Sequence, residues 1–337
     1  MPLDVLDCTN ECTPSIPTVT TNKAWVASDL TSADWLVPLD GSCTAEIRSL
    51  ARYIEANPLG SLQRRPEELP LRACESAVKR LKAILDDGVG FAVLDRMPIE
   101  EFKLATLVEI YWVLGQLLAP PVAQKWNGEM IYEVRDTGKK YGYGVRGSHT
   151  NVELVFHTDN AFGRMVPDYV GLFCKNTALE GGISRFCSLY TVHDRMQEQH
   201  PELLKRLYQP MLFDRQAEHA EGEPKVTLAP FFSWRGDKLF ARANTSLVRK
   251  GYLVVDQDMD TQLSSALNAL DQICTSEDLW YEAALAPGHI QYLNNHELGH
   301  YRSEFIDHED DDKKRHLFRL WHRNEGSASY DGVMFSA

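Results

Sequence analysis

Apolar residues in the first third of the chain recur at helical spacing, and one continuous apolar run interrupts them. A period near 3.6 predicts one buried helix face, whereas a short apolar run bounded by turn residues predicts a buried strand. Asp87-Gly88 is typical of a helix C-cap, and Pro120-Pro121 cannot continue a helix. The pattern therefore predicts helices over residues 45–56, 71–86 and 98–118, and a strand over residues 91–94.

Beyond residue 125 the pattern changes to short strand-like runs separated by turns that contain glycine. Many short strands of this kind are typical of a β-sandwich or barrel. Helical spacing returns in two inserts, and the acidic run over residues 307–312 is interpreted as an exposed loop. We predict helices over residues 192–208 and 261–275, and strands over residues 130–134, 152–157, 170–174, 184–188, 239–241, 289–293 and 316–321.

The charge and composition narrow the range of partners. A hydrophobic content of 44% and an aromatic content of 10% allow one large domain with additions, or two ordinary domains. The net charge of −13 disfavours nucleic acid and anionic membranes, because both carry negative charge. We therefore expect a small-molecule substrate, no nucleic-acid partner and no membrane partner. The sequence is compatible with a homo-oligomer.

The cysteines and the N-terminus indicate where the protein acts. The seven cysteines are scattered and include no Cys-x-x-Cys pair, so the sequence shows neither a disulfide framework nor a zinc ribbon. Residues 1–4 lack the pattern of a signal peptide. The most apolar stretch, residues 110–122, is shorter than the ~20 residues that a membrane span needs. We expect a cytoplasmic protein.

A His-x-Asp pattern provides the strongest chemical signal. His157 and Asp159 follow a strand-like apolar run, and residues i and i+2 of an extended strand share a face. His300 lies 143 residues further on (300 − 157) and is a candidate third ligand. Two neutral imidazoles and one carboxylate form the facial triad that leaves open positions on Fe(II) for a chelating co-substrate and O2. The sequence thus predicts an oxygen-activating iron site.

A second metal motif competes for the same histidine. The run from His296 to His300 matches His-Glu-x-x-His, in which a helix would place both histidines on one zinc ion with Glu297 as general base. The flanking sequence favours a strand and a turn instead, because Ile290 and Tyr292 alternate and Asn294-Asn295 follow. A zinc metallohydrolase that uses His296, Glu297 and His300 remains the alternative interpretation.

Five stretches together resemble the TauD/TfdA family, the taurine-dioxygenase-like Fe(II)/2-oxoglutarate oxygenases, in the branch near γ-butyrobetaine hydroxylase and clavaminate synthase. They cover most of residues 85–323 in the order found in the family. These stretches are residues 88–94, residues 154–162 around the His-x-Asp pattern, residues 181–185, residues 294–302, and residues 315–321.

The resemblance implies a double-stranded β-helix, or jelly roll, with N-terminal α/β elements and helical inserts. We accordingly divide the chain into an irregular arm, α/β elements packed on the core, a jelly-roll catalytic core with a helical insert over about residues 190–285, and a C-terminal tail. These four parts cover residues 1–20, 21–125, 126–323 and 324–337, respectively.

The resemblance also implies roles for individual residues. Arg315 would bind the remote carboxylate of 2-oxoglutarate, with Ser184 beside it, since the planar guanidinium suits a carboxylate. Arg319 would bind an anionic group of the substrate, and Asn151 and Glu153 are candidates for the opposite wall of the pocket.

The family activity would convert 2-oxoglutarate and O2 to succinate and CO2 while oxidising a small, carboxylate-bearing substrate. The carboxylate of Asp159 favours hydroxylation over chlorination, because halogenating relatives lack that ligand. A non-catalytic jelly-roll protein that binds a ligand is the other alternative.

Overall fold

Helices cluster near the start of the chain and in a later insert, and short strands are spread over the remainder. The computed structural model describes residues 4–11, 23–140, 142 and 144–333. Within these residues the helices are α1 (Gly41–Ala56), α2 (Arg72–Asp87), α3 (Leu104–Leu118), α4 (Leu189–Gln199), α5 (Pro201–Leu207), α6 (Thr245–Val254) and α7 (Thr261–Cys274).

The strands are short, and most of them belong to two sheets. They are β1 (Leu6–Asp7), β2 (Leu36–Pro38), β3 (Phe91–Asp95), β4 (Pro121–Val122), β5 (Tyr132–Val134), β6 (Leu154–His157), β7 (Tyr169–Asn176), β8 (Glu180–Gly181), β9 (Ser184–Ser188), β10 (Met211–Asp214), β11 (Val226–Ala229), β12 (Phe232–Arg235), β13 (Lys238–Ala241), β14 (Trp280–Glu282), β15 (Ile290–Asn294), β16 (Leu298–Arg302), β17 (Phe305–Ile306) and β18 (His316–His322).

The two main sheets have seven and four strands. The larger has the order β2-β3-β15-β7-β18-β4, with β5 also paired to β18, and the smaller has the order β14-β9-β16-β6. In the smaller sheet, the antiparallel pairing of β16 with β6 places His300 directly opposite His157. Side chains from both sheets meet at Asp159, because Arg319 and Trp321 on β18 donate hydrogen bonds to its carboxylate. The candidate site therefore lies between the sheets.

The first three helices pack together and share one hydrophobic core with strands of the larger sheet. In α2 the apolar positions Leu81 and Leu85 are four residues apart and fully buried, as expected for one face of an amphipathic helix. The side chain of Asp40 caps α1 by accepting a hydrogen bond from the Cys43 backbone nitrogen at 2.9 Å. Replacing a buried leucine such as Leu81 by alanine is expected to cost roughly 2–5 kcal/mol.

The later insert packs helices α4, α5 and α7 together with strands β10 to β13 in a second core, which also contains Phe186 of β9 and Trp321 of β18. The predicted helix over residues 192–208 is in fact two helices, because α4 ends at Gln199 and α5 begins at Pro201. Proline lacks the amide proton that a continuous helix would need, so the break has a local cause.

Most of the predicted strands lie within a few residues of those found, and Ser184–Ser188 coincides with β9. Several elements had no clear pattern, namely α6, β10, β11, β12, β14 and β16. Within the arm predicted over residues 1–20, Leu6 and Asp7 pair with β11, and Leu6 is buried. Its residues 1–3 and 12–20 lie outside the described part. Among the described helices, none combines the length and apolar character that a bilayer crossing requires.

Candidate active site

The three predicted metal ligands converge, although His300 is distant in sequence from His157 and Asp159. One ligand atom each from His157, Asp159 and His300 lies within 4.8 Å of the other two. The Nε2 atoms of both histidines are 3.6 Å from Oδ1 of Asp159. The Nδ1 of His157 is 2.7 Å from the carbonyl oxygen of Val155. Because a carbonyl only accepts, Nδ1 carries the proton and Nε2 keeps its lone pair for a metal.

The backbone around Asp159 is held by the turn that precedes β16. The Asp159 backbone nitrogen donates to Oδ1 of Asn295 at 2.7 Å, and Nδ2 of Asn295 donates to the Asp159 carbonyl at 2.9 Å. The next residue, Asn160, has φ of 55°, a left-handed conformation that asparagine tolerates better than most residues. These hydrogen bonds connect the segment that carries His157 and Asp159 to the turn that precedes His300, and they do not require a metal ion.

The carboxylate of Asp159 is buried but well supported. Nη1 of Arg319 donates to its Oδ2 at 2.9 Å, and Nε1 of Trp321 donates to the same oxygen at 2.8 Å. Burial by itself would raise the pKa of Asp159, but the positive charge of Arg319 is the largest influence that holds that pKa well below its usual range. Oδ1 therefore stays negatively charged and faces the two imidazoles.

His300 is held in its neutral form. Burial, followed by the proximity of His157, lowers the pKa of His300 to about 4, despite the opposing influence of Asp159. A neutral imidazole is the form that binds a metal. The donor set of two imidazoles and one carboxylate suits Fe(II) with open coordination positions. The residues present therefore fit the metal that the sequence predicts.

The predicted 2-oxoglutarate residue, Arg315, lies in a separate small cavity of about 220 Å³, which Gly182 also lines. Its guanidinium is 5.1 Å from the centre of the Phe305 ring, and Nη1 is buried without a partner in the described residues. Burial lowers the pKa of Arg315 to about 10, so it is charged at neutral pH. A buried cation with an unused donor fits an incoming carboxylate.

Ser184 and Arg302 lie near the Arg315 cavity. Ser184 is buried, stands opposite Arg302 in the pairing of β9 with β16, and follows Ile183, which lines the cavity. Burial and the charge of Arg315 lower the pKa of Arg302 to about 9. Nε and Nη1 of Arg302 are buried without partners in the described residues. Two guanidinium groups with unused donors, those of Arg302 and Arg315, therefore lie near this cavity.

The two predicted pocket residues have different surroundings. Glu153 lines the cavity that contains His157 and Asp159, and its carboxylate accepts a hydrogen bond from the hydroxyl of Tyr301. Asn151 does not line that cavity, and its Nδ2 donates to the backbone carbonyl of Phe305 at 3.3 Å. The structure thus brings Glu153, but not Asn151, to the cavity wall.

The zinc-hydrolase arrangement is not formed. Residues 295–297 are a turn and His300 lies in β16, so His296 and His300 do not share a helix face. Nε2 of His296 is 2.8 Å from Oδ1 of Asp168, and Glu297 pairs with Lys23 at 2.7 Å. Glu297 is therefore engaged in a buried ion pair and is not poised as a general base.

A cavity of about 310 Å³ opens beside the triad, lined by polar and apolar side chains in comparable measure. Three residues in or beside it had no assigned role in the sequence interpretation. Arg146 and Trp321 line the cavity, and Gln124 contacts Arg319, which also lines it. Strand alternation could have identified Trp321, because it lies two residues after Arg319 on β18. Gln124 and Arg146 belong to no recognisable motif, and only the tertiary structure brings them here.

The chain is similar to a known protein family and to individual proteins. The taurine catabolism dioxygenase TauD, TfdA family matches residues 46–321. The FR-33289 synthase of Streptomyces rubellomurinus (strain ATCC 31215) is 28% identical over 314 residues, which are 90% of this chain and 89% of that protein. A taurine hydroxylase-like protein of Stachybotrys chartarum (strain CBS 109288 / IBT 7711) is 23% identical over 88% of this chain and 77% of its own length.

Solved structures show the same fold. Asparagine oxygenase in complex with Fe(II), 2S,3S-3-hydroxyasparagine and succinate has a TM-score of 0.64 at 19% identity and covers 90% of this chain and 100% of its own. The non-heme iron oxygenase OrfP in complex with Fe, succinate and (3S)-hydroxy-L-Arg has a TM-score of 0.65 at 16% identity and covers 89% of this chain and 99% of its own.

The chain belongs to the TauD/TfdA family of dioxygenases, because the family match extends over most of its length. It is an Fe(II)/2-oxoglutarate-dependent dioxygenase, with O2 as the second co-substrate. The sequence predictions of the family, the enzyme class and the cofactors are thereby confirmed.

Proposed function

We propose that His157, Asp159 and His300 bind Fe(II), and that the enzyme hydroxylates a small substrate bearing a carboxylate or similar anion. The observation that carries this proposal is the convergence of the three side chains, with their ligand atoms within 4.8 Å of one another. Bound Fe(II) supplies open positions for 2-oxoglutarate and O2 and the oxidising chemistry that yields succinate and CO2.

Arg315 holds the distal carboxylate of 2-oxoglutarate in this proposal, and Ser184 lies beside it. Support comes from the buried Nη1 of Arg315, which has no partner among the described residues. Gly182 lies close against this arginine, since a side chain added at Gly182 would meet Nε of Arg315 at 3.0 Å. A glycine here leaves room for both the guanidinium and its ligand.

The substrate occupies the cavity of about 310 Å³ beside the triad. Arg319, Glu153 and Trp321 line it, so both a cation and an anion face the ligand. The two solved relatives hold hydroxyasparagine and hydroxy-L-Arg, respectively, which supports a small amino-acid-like substrate. Asn151 lies outside this cavity, where its side chain donates a hydrogen bond to the backbone carbonyl of Phe305.

The proposed architecture is a jelly-roll core over residues 126–323, with the insert over about residues 190–285 and the α/β elements of residues 21–125 packed on it. The two facing sheets and the likeness to solved family members support this division. We also propose a cytoplasmic enzyme whose partners are small molecules and not nucleic acid or membranes. The net charge of −13 supports that assignment.

Anaerobic titration with Fe(II) and 2-oxoglutarate tests the metal assignment. The complex should develop a visible charge-transfer band, which a zinc site cannot produce. His300→Ala should lose the band because one ligand is missing, whereas His296→Gln should keep it because His296 contacts Asp168 and not the triad. A band that survives His300→Ala and disappears in His296→Gln would contradict the assignment. Succinate release across a library of amino acids and carboxylates then identifies the substrate.

A further inference from the structure

Arg146 is the least expected residue of the substrate cavity. It precedes β6 in the chain and lines the same cavity as His157, Asp159 and Arg319. Its side chain is held from one edge, because Nε donates to the carboxylate of Glu218 and Nη2 donates to the Gln124 carbonyl at 3.0 Å. A second guanidinium is thereby fixed beside the substrate space.

Arg146 and Arg319 are neighbours through shared contacts. Their guanidinium carbons lie 5.3 Å and 4.7 Å, respectively, from the centre of the Tyr132 ring. Gln124 contacts both residues, since its Oε1 accepts from Nε of Arg319 at 2.8 Å and its backbone carbonyl accepts from Arg146. The ring and the amide therefore set the positions of the two cations relative to each other.

Each guanidinium keeps one terminal nitrogen that has no partner among the described residues. Arg146 uses Nε and Nη2, which leaves Nη1. Arg319 uses Nε and Nη1, the latter on Asp159, which leaves Nη2. Neither remaining nitrogen is among the fully buried unpaired atoms of the described residues. Two charge-assisted donors are thus available to a ligand.

Among the described residues, no acidic side chain pairs with either of these two remaining nitrogens. In the described lining of the cavity, the acidic side chains are Glu153 and Asp159. Glu153 accepts from Tyr301, and Asp159 is engaged by Arg319 and Trp321. Burial disfavours the charge of Arg146, but Glu218 outweighs that effect and raises its pKa, so the cation persists at any physiological pH.

From these contacts we infer that Arg146 and Arg319 jointly bind an oxyanion of the substrate, with Arg146 as a specificity-determining residue and Glu218 as its positioning residue. This inference rests on the function proposed above and extends it. Carboxylates, phosphonates, sulfonates and phosphate esters share the required feature, two or more oxygens that accept hydrogen bonds from separate donors. Arg315 is not part of this site, because it lines a different cavity.

Calorimetry on the full-length enzyme tests the site without knowledge of the substrate. The protein is loaded anaerobically with Fe(II) and saturating 2-oxoglutarate, so that Arg315 is already occupied. Acetate, sulfate and methylphosphonate are then titrated at constant ionic strength. At least one should bind, and Arg146→Gln should weaken that binding tenfold or more. The contrast between acetate and the two tetrahedral anions identifies the preferred end group.

Arg135→Gln is the matched control, because Arg135 also pairs with a glutamate, Glu133, but lies exposed outside the cavity. It should bind the anion as the wild type does. Arg146→Lys keeps the charge without the planar fork and should give an intermediate affinity. Thermal unfolding and 2-oxoglutarate binding show whether each variant is folded, so a loss caused by misfolding is recognised.

The substrate library gives a second readout. Acids should release succinate with a lower KM than their neutral amides, and Arg146→Gln should raise KM for the acid more than it lowers kcat. The inference is overturned if no anion binds, if Arg146→Gln binds anions as well as the wild type, or if amides and acids are used equally. Failure to form the Fe(II)/2-oxoglutarate complex would instead contradict the proposed function.

Discussion

Arg315 and Arg319 lie four residues apart at one strand, yet their surroundings differ in kind. Arg315 has a buried Nη1 without a partner in the described residues, and the nearby Arg302 adds a second positive charge. Arg319 is equally buried but is neutralised by Asp159 and bonded to Gln124. Burying an unpaired cation is costly, whereas burying a paired one is tolerated. Arg315 is therefore suited to bind an incoming anion, whereas Arg319 also holds the metal ligand Asp159 in position.

The largest expected effect is the loss of 2-oxoglutarate affinity when the charge of Arg315 is removed. Arg315→Gln should weaken 2-oxoglutarate binding roughly a hundredfold or more, since losing one partner of a buried charge pair costs about 2–5 kcal/mol. The ligand-free protein should be as stable as the wild type or more stable, because a buried cation whose Nη1 has no partner among the described residues is removed. Titration of 2-oxoglutarate and thermal unfolding measure both effects. Affinity within threefold of the wild type would contradict the role.

Arg319→Gln should act on the metal as well as the substrate. Asp159 would lose its buried counter-charge, and removing such support for a metal ligand typically lowers metal affinity roughly 10- to 100-fold. The affinity for 2-oxoglutarate at saturating Fe(II) should change less than in Arg315→Gln. Anaerobic Fe(II) titration checks this outcome. Unchanged iron affinity together with a raised substrate KM would assign Arg319 to the substrate alone.

A smaller change separates the hydrogen bond from the charge. Trp321→Phe keeps an aromatic ring but removes the Nε1 donor that lies 2.8 Å from Oδ2 of Asp159. A neutral donor contributes about 1 kcal/mol net, so iron affinity should fall roughly fivefold. The matched comparison is Trp234→Phe, whose Nε1 donates to the Tyr208 hydroxyl outside the site. Equal losses in both variants would indicate a general stability effect.

The smallest expected effect is a change of protein stability with pH, caused by His322 at the end of β18. Burial lowers the pKa of His322, at the end of β18, to about 4, against about 6.5 in an unfolded chain. The unfolded state therefore binds a proton first as pH falls, so stability is full above about pH 6.5 and is lost towards pH 4. Between pH 7.5 and 6 this residue should cost about 0.8 kcal/mol of stability.

Denaturant unfolding at several pH values measures this dependence, and His322→Gln should reduce it. Arg315, with a pKa of about 10, keeps its charge across this range, so 2-oxoglutarate affinity should stay constant while stability declines. If 2-oxoglutarate affinity and protein stability fell together, the Arg315 cavity would depend on the protonation state of His322.

Local patterns predicted much of the scaffold around these arginines. The helical spacing over residues 45–56 corresponds to α1, and the apolar run over residues 316–321 corresponds to β18. Strand β16 escaped prediction because its five residues include Gly299, His300 and Arg302 and lack an apolar alternation. Periodicity recognises an element only where its burial pattern is regular.

The residue types that can bind the metal were recognisable in the amino-acid sequence alone. His157 and Asp159 are two residues apart, a spacing that local strand geometry can turn towards one metal. His300 as a third ligand and Arg315 as a 2-oxoglutarate residue were also proposed from the amino-acid sequence. Short-range geometry and the donor properties of side chains do not depend on how distant segments pack.

Which of these groups share an environment depends on long-range packing, and local sequence patterns do not show it. The pairing of β16 with β6 brings His300 to His157, and the facing of the two sheets brings Arg319 to Asp159. The same packing brings Arg146 into the cavity and leaves Nη1 of Arg315 without a partner in the part of the chain that the structure describes. Contacts between residues far apart in the chain arise from the sum of many burial and pairing energies, which no local pattern encodes.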